Sequence, residues 1–255
     1  MIYKSLLGVA NAKTSKGEDL GYLTGILYLA PSDMVDGVNV CKFASKGCRK
    51  ACLFSAGRGK FKSVEAARIK KTEFYRDNTK DFFYSLEKDV NKVIRKAKRE
   101  NLKPVIRING TSDIAWEKFK VYNGKNIFEL FPEVQFYDYT KNFKREKALS
   151  GHWKNYHLTF SVNESKANQL QAFKLLEKGV NIAVVFNKIP ETFRGKKVIN
   201  GDKHDLRFLD EKNVIVGLKA KGDAKKDTSG FVFDSDFLRL ANIQNVLTKN
   251  KVNKG

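Results

Sequence analysis

Short apolar runs alternate along the chain with longer segments in which apolar residues recur every three or four positions. The short runs predict β-strands, because strands that are buried on both faces are brief and apolar throughout. The predicted strands cover residues 23–29, 105–108, 134–139, 156–161, 182–186 and 214–218, with a shorter strand over 197–200.

The longer segments predict amphipathic helices. A helix-rich region is predicted from Ser63 to Asn101, and its second half carries apolar residues on one face and Lys and Arg on the other. A second helix is predicted over residues 163–179, where Gly179 stops it. A terminal helix is predicted over residues 236–248, where apolar residues again recur at helical spacing.

The alternation of strands and helices predicts βαβ units and a parallel sheet. Seven predicted strands favour a full or partial (β/α) barrel, and an open doubly wound sheet is the alternative. The chain has four Pro and no Ser- or Gly-rich linker. Residues 1–255 are therefore predicted to form a single α/β domain.

Polar residues follow nearly every predicted strand. In a (β/α) barrel the catalytic groups stand at the carboxyl ends of the strands, so these residues are predicted to share a site. The predicted catalytic residues are Asp113, Asp138, Lys141, Glu164, His204 and Lys219. The residues predicted to bind a cofactor or ligand are Asn109, Ser161, Asn163 and Lys221. Polar residues at such positions also cap helices and shape turns, which is the structural alternative at each of them.

The composition narrows the class of protein. The 255 residues include 49 Lys and Arg against 28 Asp and Glu, a formal net charge of +21. A hydrophobic content of 42% with 12% aromatics excludes a disordered basic tail. The charge indicates either a nucleic-acid partner or a strongly solvated surface. No apolar run is long enough to span a membrane, so we expect a cytoplasmic protein without a membrane partner.

All three cysteines, Cys41, Cys48 and Cys52, lie in one short segment with the spacing C-x6-C-x3-C. A disulfide framework would use an even number of scattered cysteines, so a shared metal centre fits better. The Lys and Arg residues between them favour thiolates, which bind soft metals. An iron–sulfur cluster, a zinc ion and unliganded thiols all stay open, and the predicted cluster loop covers about residues 41–59.

The placement of these cysteines after the first strand of a predicted barrel is similar to that in radical S-adenosylmethionine enzymes. That similarity implies a cluster with one iron open to the amino and carboxyl groups of S-adenosylmethionine. The spacing differs from the C-x3-C-x2-C of most of that superfamily. Ala51 also stands where an aromatic residue usually precedes the third cysteine.

Several further motifs occur in order along most of the chain. They are Cys41–Cys52 with residues 56–59, and then residues 107–113, 136–141, 155–161, 201–208 and 217–222. Together they resemble the bacteriophage "gene product 88" family of viral proteins. The resemblance implies a viral origin, hence the host cytoplasm, and a cysteine-bound iron–sulfur cluster of the 4Fe–4S type. It implies no particular reaction.

Three functional hypotheses follow from the sequence. The first is an iron–sulfur protein that acts, as a redox or radical S-adenosylmethionine-like enzyme, on an unidentified small molecule at the barrel mouth. The second is a basic nucleic-acid-binding protein with a structural or sensing cluster. The third is a structural zinc protein.

Overall fold

The protein is built around one nine-stranded sheet in the order β1-β2-β3-β4-β5-β6-β9-β8-β7. The computed structural model describes residues 5–9 and 12–235. The strands are β1 Leu7–Gly8, β2 Tyr22–Leu27, β3 Lys103–Arg107, β4 Gln135–Thr140, β5 Tyr156–Ser161, β6 Ile182–Phe186, β7 Thr192–Phe193, β8 Lys196–Asn200 and β9 Ile215–Lys219. The helices are α1 Ala12–Glu18, α2 Lys46–Lys50, α3 Lys62–Asp77, α4 Thr79–Arg99, α5 Ile127–Leu130, α6 Glu146–Leu149 and α7 Lys166–Glu177.

The sheet is mostly parallel, as the alternation of strands and helices predicts. Strands β2 to β6, β8 and β9 pair in parallel, and the two-residue strands β1 and β7 pair antiparallel at the edges. The order runs in one direction from β1 to β6, without the reversal that defines a doubly wound sheet. Among the described residues no pairing joins the two edges, so the sheet is not closed into a full barrel.

The two faces of the sheet are covered by different parts of the chain. Ile106, Phe136 and Leu158 point toward the helices and belong to the main hydrophobic core. The opposite face packs Val105 and Tyr137 against Leu206, which lies in the connection from β8 to β9. Period-two alternation in the strands thus separates a helix-covered face from a face covered mainly by loops, where Gly17 of α1 also lies against β2 and Leu206.

Helix α4 shows why the apolar stripe of the sequence predicts its position. Phe82, Leu86, Val90 and Ala97 are fully buried against the sheet, while Lys and Arg occupy the exposed side. The predicted helix-rich region is divided into α3 and α4 at Asn78, whose φ of −136° and ψ of 53° are not helical. No helix in the described part of the chain combines the length and apolarity needed to cross a bilayer.

The predicted boundaries agree closely with the structure for most strands. Strands β5 and β6 begin and end at the predicted residues, and β2, β3, β4, β8 and β9 differ at their ends by one or two. Helix α7 lies inside its predicted range, and Gly179 beyond its end has a φ of +84°, which favours glycine. The terminal helix predicted over residues 236–248 lies outside the described residues.

Candidate functional site

A cavity of about 350 Å³ opens at the carboxyl ends of the parallel strands. Its wall is assembled from the cysteine segment, the residues after β3, β4 and β5, and the segments that follow β8 and β9. Cys41, Cys48 and Cys52 all line it. The strand ends and the cysteine segment, which the sequence singles out independently, therefore converge on one space.

Most of the predicted site residues lie in the cavity wall, and three do not. The predicted residues that line the cavity are Asn109, Asp113, Lys141, Ser161, His204, Lys219 and Lys221. Asp138, Asn163 and Glu164 are not among the lining residues. Their hydrogen bonds give each of the three a structural role.

The short helix α2 carries Cys48 and is fixed at its start by Glu164. The Glu164 carboxylate accepts hydrogen bonds from Ser45 Oγ at 2.7 Å and from the backbone N–H of Gly47 at 2.9 Å. Ser45 Oγ in turn accepts from the N–H of Cys48 at 3.1 Å. A Cβ at Gly47 would lie 2.8 Å from that of Phe231, so glycine allows this close approach. Glu164 thus orients the cysteine segment from outside the cavity.

Asn163 shapes the turn that precedes α7. Its side-chain oxygen accepts from the N–H of Ser165 at 2.9 Å, and its own N–H donates to Asn168 Oδ1 at 2.8 Å. Ser165 is the residue that caps α7. Asn163 therefore shapes a turn, which is the structural alternative to the ligand-binding role predicted for it.

The three thiols are half-buried and close enough to influence one another. Burial raises the pKa of Cys41 to about 12, and Asp113 and the other two cysteines act in the same direction. Burial also raises the pKa of Cys52, which Lys141 and Arg68 oppose. Among the described residues, no three His, Cys, Asp or Glu side chains form a group that could hold a single metal ion.

Arg68 on helix α3 lies beside the cysteine segment and is 9% exposed. Its guanidinium carbon lies 4.9 Å from the ring centroid of Tyr28 and 5.1 Å from that of Phe54. Neither Nε nor Nη1 has a hydrogen-bond acceptor within the described structure. Burial lowers the pKa of Arg68, and the electrostatic interactions with Tyr28 and then Cys52 oppose the lowering. A buried cation with two unsatisfied nitrogens favours an anion nearby.

Asp138 anchors the loop after β3 rather than facing the cavity. Its carboxylate accepts from the Asn109 N–H at 2.7 Å and from Tyr156 Oη at 3.2 Å. Asn109 Oδ1 then accepts from Ser112 Oγ, from the N–H of Ile114 and from Trp116 Nε1. Burial raises the pKa of Asp138 to about 7, although the hydrogen bonds oppose the rise. Asn109 lines the cavity, but these contacts occupy its side-chain oxygen.

Asp113 ties the loops after β3 and β4 together. It accepts from Thr140 Oγ1 at 2.6 Å and from the N–H of Lys141 at 2.8 Å, and the buried Arg145 lies 3.4 Å away. Lys141 Nζ donates to Ser161 Oγ at 2.8 Å and lies 5.5 Å from the ring centroid of Phe231. Asp113 therefore positions the Lys141 ammonium without pairing with it.

Asp202 organises the lysines that follow β9. Its carboxylate accepts from Lys221 Nζ at 2.6 Å and from the backbone N–H of Lys219 at 3.1 Å. Its carbonyl oxygen accepts from Lys16 Nζ at 2.7 Å. We call Lys16, Lys219 and Lys221 the basic rim, and all three line the cavity.

A buried ion pair lies among the residues that line the cavity. Arg107 Nη1 donates to Asp205 Oδ2 at 2.7 Å, and Tyr137 Oη donates to the same oxygen at 3.0 Å. His204 lies beside Arg207, with 3.3 Å between Nδ1 and Nη2. Burial, then Arg207, lowers the pKa of His204, which favours a neutral imidazole.

Sequence reasoning missed Arg68 and Arg107 as residues of this region. Arg107 is the last residue of a strand whose other residues are apolar or exposed. Period-two alternation was the available signal that its side chain lies on the face of the sheet opposite the helices. Arg68 sits on a helix with several other basic residues, and nothing in the sequence separates it from them.

The comparisons with known proteins bear on the whole of this arrangement. A family model described as "Gene product 88" matches residues 5–235. The chain belongs to the gene product 88 family. No curated protein matches the chain, and no solved structure matches it.

The gene product 88 match spans every residue that lines the cavity, from Lys16 to Phe231. It also spans Glu164 and Arg68, which support the cysteine segment from outside. The resemblance stated from the motifs is therefore confirmed at the level of the family. The family membership by itself assigns no metal or cofactor to the cavity.

Proposed function

We propose that this gene product 88 protein binds a 4Fe–4S cluster through Cys41, Cys48 and Cys52 and acts with it on a small molecule in the same cavity. The observation that carries the proposal is that all three cysteines of the chain line one cavity at the carboxyl ends of the strands. Thiols that line an open cavity are available to a metal, whereas fully buried structural cysteines are inert.

The placement of the thiols favours a cluster over a zinc ion as the bound group. Each cysteine of a cluster binds a different iron, so its ligands surround a volume. The ligands of a zinc ion instead converge on one point. The three thiols line one cavity, and no three described His, Cys, Asp or Glu side chains form a group around a single ion.

The surrounding charges also suit a cluster held by thiolates, which is anionic. Arg68 supplies a buried cation that interacts electrostatically with Cys52 and has two nitrogens without an acceptor among the described residues. Lys141 supplies an ammonium whose partner Ser161 is neutral. Both groups would be stabilised by negative charge in the cavity. They would also favour the thiolate forms that metal binding requires.

The architecture proposed for this site is a partial (β/α) barrel. The strand order advances in one direction from β1 to β6, and the loop after β8 reaches back to the β2 side of the sheet. The rings of Tyr22 and Phe208 lie 5.3 Å apart, and Lys16 bonds to Asp202. These contacts join early and late parts of the chain across the loop-covered face and support a curved sheet.

When bound, a three-cysteine cluster supplies electron transfer and an iron available to a further ligand. S-adenosylmethionine is the cofactor proposed for that position. The chain's own residues would shape the rest of the site: Lys141 and the basic rim would hold an anionic group, and Asp113 would keep Lys141 in place.

Metal analysis of the purified chain tests the cluster. Protein isolated without oxygen, or reconstituted with iron and sulfide, should hold about four irons and four sulfides per chain. Each of Cys41→Ser, Cys48→Ser and Cys52→Ser should lose most of both. The matched control is Met34→Ser, which removes an exposed sulfur near the same segment. Zinc without iron or sulfide, or full iron content in the triple serine variant, would contradict the proposal.

A separate experiment tests the radical version. S-adenosylmethionine is added with a reductant to the cluster-loaded protein, and the electron paramagnetic signal and cofactor cleavage are followed. We expect the signal to change and the cofactor to be cleaved. If neither occurs, the radical version is wrong while cluster binding stands on its own test.

A second candidate function is nucleic-acid binding, which the exposed side of α4 favours. Lys88, Lys92, Arg95, Lys98 and Arg99 are exposed there. Phosphate contacts would make the affinity fall steeply with salt. Lys88→Glu with Arg95→Glu should then weaken binding more than Lys174→Glu with Lys178→Glu at the carboxyl end of α7. Equal effects of the two pairs, or a flat salt response, would exclude a specific surface on α4.

A further inference from the structure

The basic rim carries more positive charge than its described surroundings balance. Asp202 accepts a hydrogen bond from each of the three lysines of the basic rim, through its carboxylate and its carbonyl oxygen. Its carboxylate pairs with Lys221 and binds only the backbone of Lys219. Within the described part of the chain, one carboxylate therefore stands against three ammonium groups.

Lys141 adds a fourth ammonium to the same cavity. Its Nζ donates to the neutral hydroxyl of Ser161, and the Phe231 ring lies beside it. The carboxylate of Asp113 binds the backbone N–H of Lys141 and leaves the ammonium alone. The charge is thus held at a fixed position by partners that do not neutralise it.

The other ionic groups of the wall do not cancel this excess. Arg107 is neutralised by Asp205, and Arg145 pairs bidentately with Glu117. Asp113 therefore offsets one charge of the wall, and the carboxylates of Asp113 and Asp202 still stand against four ammonium groups. Lys16, Lys141 and Lys219 remain without a carboxylate partner among the described residues. A cationic concavity attracts oxyanions, and ammonium groups bind carboxylates and phosphates through short charge-assisted hydrogen bonds.

We propose that the cavity binds a small molecule through a carboxylate or phosphate group, with Lys141 and Lys219 as its principal partners. The inference rests on the proposed function in that it names the ligand class of the same cavity. A volume of about 350 Å³ suits a small molecule. Val185, Leu218 and Phe231 also line the cavity and offer apolar surface to its organic part.

Anion titration tests this proposal. Inorganic phosphate and acetate are titrated separately at constant ionic strength and followed by ligand-observed NMR, which distinguishes the two oxyanion sources. We expect saturable binding of at least one. Lys219→Gln should weaken it by about tenfold or more, because a charge-assisted hydrogen bond is lost. Lys219→Arg should largely restore it.

The matched control is Lys225→Gln, which removes one exposed lysine from the next segment, away from the cavity wall. It should leave the affinity within about twofold, because Lys225 does not line the cavity and cannot reach an anion bound there. Circular dichroism of each variant checks that the fold is kept. Because Lys219 has no described side-chain partner, its substitution should not unfold the chain.

Two results would overturn the proposal. One is the absence of saturable binding of both anions. The other is an equal loss of anion affinity in Lys219→Gln and Lys225→Gln. That result would assign binding to the general positive charge of the surface, which would also attract nucleic acid. The titrations are repeated on the variant with all three cysteines changed to serine. Binding there without iron separates the anion site from the cluster, so either can fail alone.

Discussion

Arg68 and the residues around it show what a single buried cation implies. The guanidinium lies between two aromatic rings, with two of its nitrogens lacking acceptors in the described structure. A cation in this setting destabilises the protein when the cavity is empty. It stabilises the protein when an anionic group fills the cavity. The same side chain should therefore have opposite effects on the two states.

Substituting Arg68 tests this reversal. Arg68→Met keeps an unbranched apolar stem and removes the charge, so the metal-free protein should gain about 1–3 kcal/mol in free energy of unfolding. The cluster-loaded protein should instead release iron to a chelator faster. Thermal unfolding and iron-release rates measure the two effects. Lys70→Met on the same helix, whose side chain is exposed, is the control, and parallel changes in both variants would contradict the argument.

His157 gives a prediction about pH. Burial lowers its pKa to about 4, with Arg207 acting in the same direction. The unfolded chain binds the proton more tightly than the folded chain, so stability falls as the pH drops from about 6.5 to about 4. Above about pH 6.5 the contribution of His157 to the free energy of unfolding does not change with pH. The loss amounts to about 3 kcal/mol across the window.

The measurement is the free energy of unfolding by denaturant at several pH values. Asp138 acts oppositely, because its raised pKa makes stability fall as the pH rises from about 4 to about 7. The difference between His157→Gln and the unchanged protein isolates the histidine. His157→Gln should lose the decline toward acid. His152→Gln, at an exposed position, should keep it.

At the scale of elements, α2 depends on a residue from a distant loop. Glu164 follows β5, yet it accepts two hydrogen bonds at the start of the helix that carries Cys48. One carboxylate thus joins the start of α2 to the loop after β5. The cysteine segment should become less ordered when that carboxylate is removed.

Glu164→Ala should cost about 1–3 kcal/mol in free energy of unfolding, because a charged acceptor of two hydrogen bonds is lost. Hydrogen exchange should accelerate over residues 45–52 and stay unchanged in α7. Glu177→Ala, at the exposed end of α7, serves as control. Unchanged exchange over residues 45–52 would show that other contacts hold the segment.

The elements themselves were largely predictable, and the roles of the polar residues were not. Strands β5 and β6 match their predicted bounds because apolar runs with turn residues on both sides fix where a strand fits. Strands β1 and β7 have two residues each and leave no periodic signal. The division at Asn78 depends on backbone angles that helix periodicity does not reveal.

The candidate site was predictable as a location and less so residue by residue. Lys141 and Lys219 line the cavity, whereas Asp138 follows Tyr137 and precedes Tyr139, so it faces the helix side of β4. A polar residue at a strand end can serve a ligand or a loop, and its type does not decide which. Arg68 could not be chosen from its helix because its importance comes from tertiary neighbours.

At the scale of the whole molecule, the cavity wall joins residues from 16 to 231. A group bound there contacts segments from most of the chain and should stabilise it globally. Removing metal with a strong chelator should therefore lower the melting temperature of reconstituted protein by several degrees. Differential scanning calorimetry measures this, with the triple serine variant as control. An equal shift in that variant would contradict the prediction.

The distance along the chain between the cysteines and Phe231 has a consequence for biosynthesis. Cys48 and Ala51 pack in a small cluster with Ala220, Ala224 and Phe231, which are made last among the described residues. At about 5–20 residues per second, the ribosome exposes the thiols about 10–40 s before that wall exists. Any group that needs the complete cavity must be delivered to a finished chain, and the nascent thiols stay open to oxidation until then.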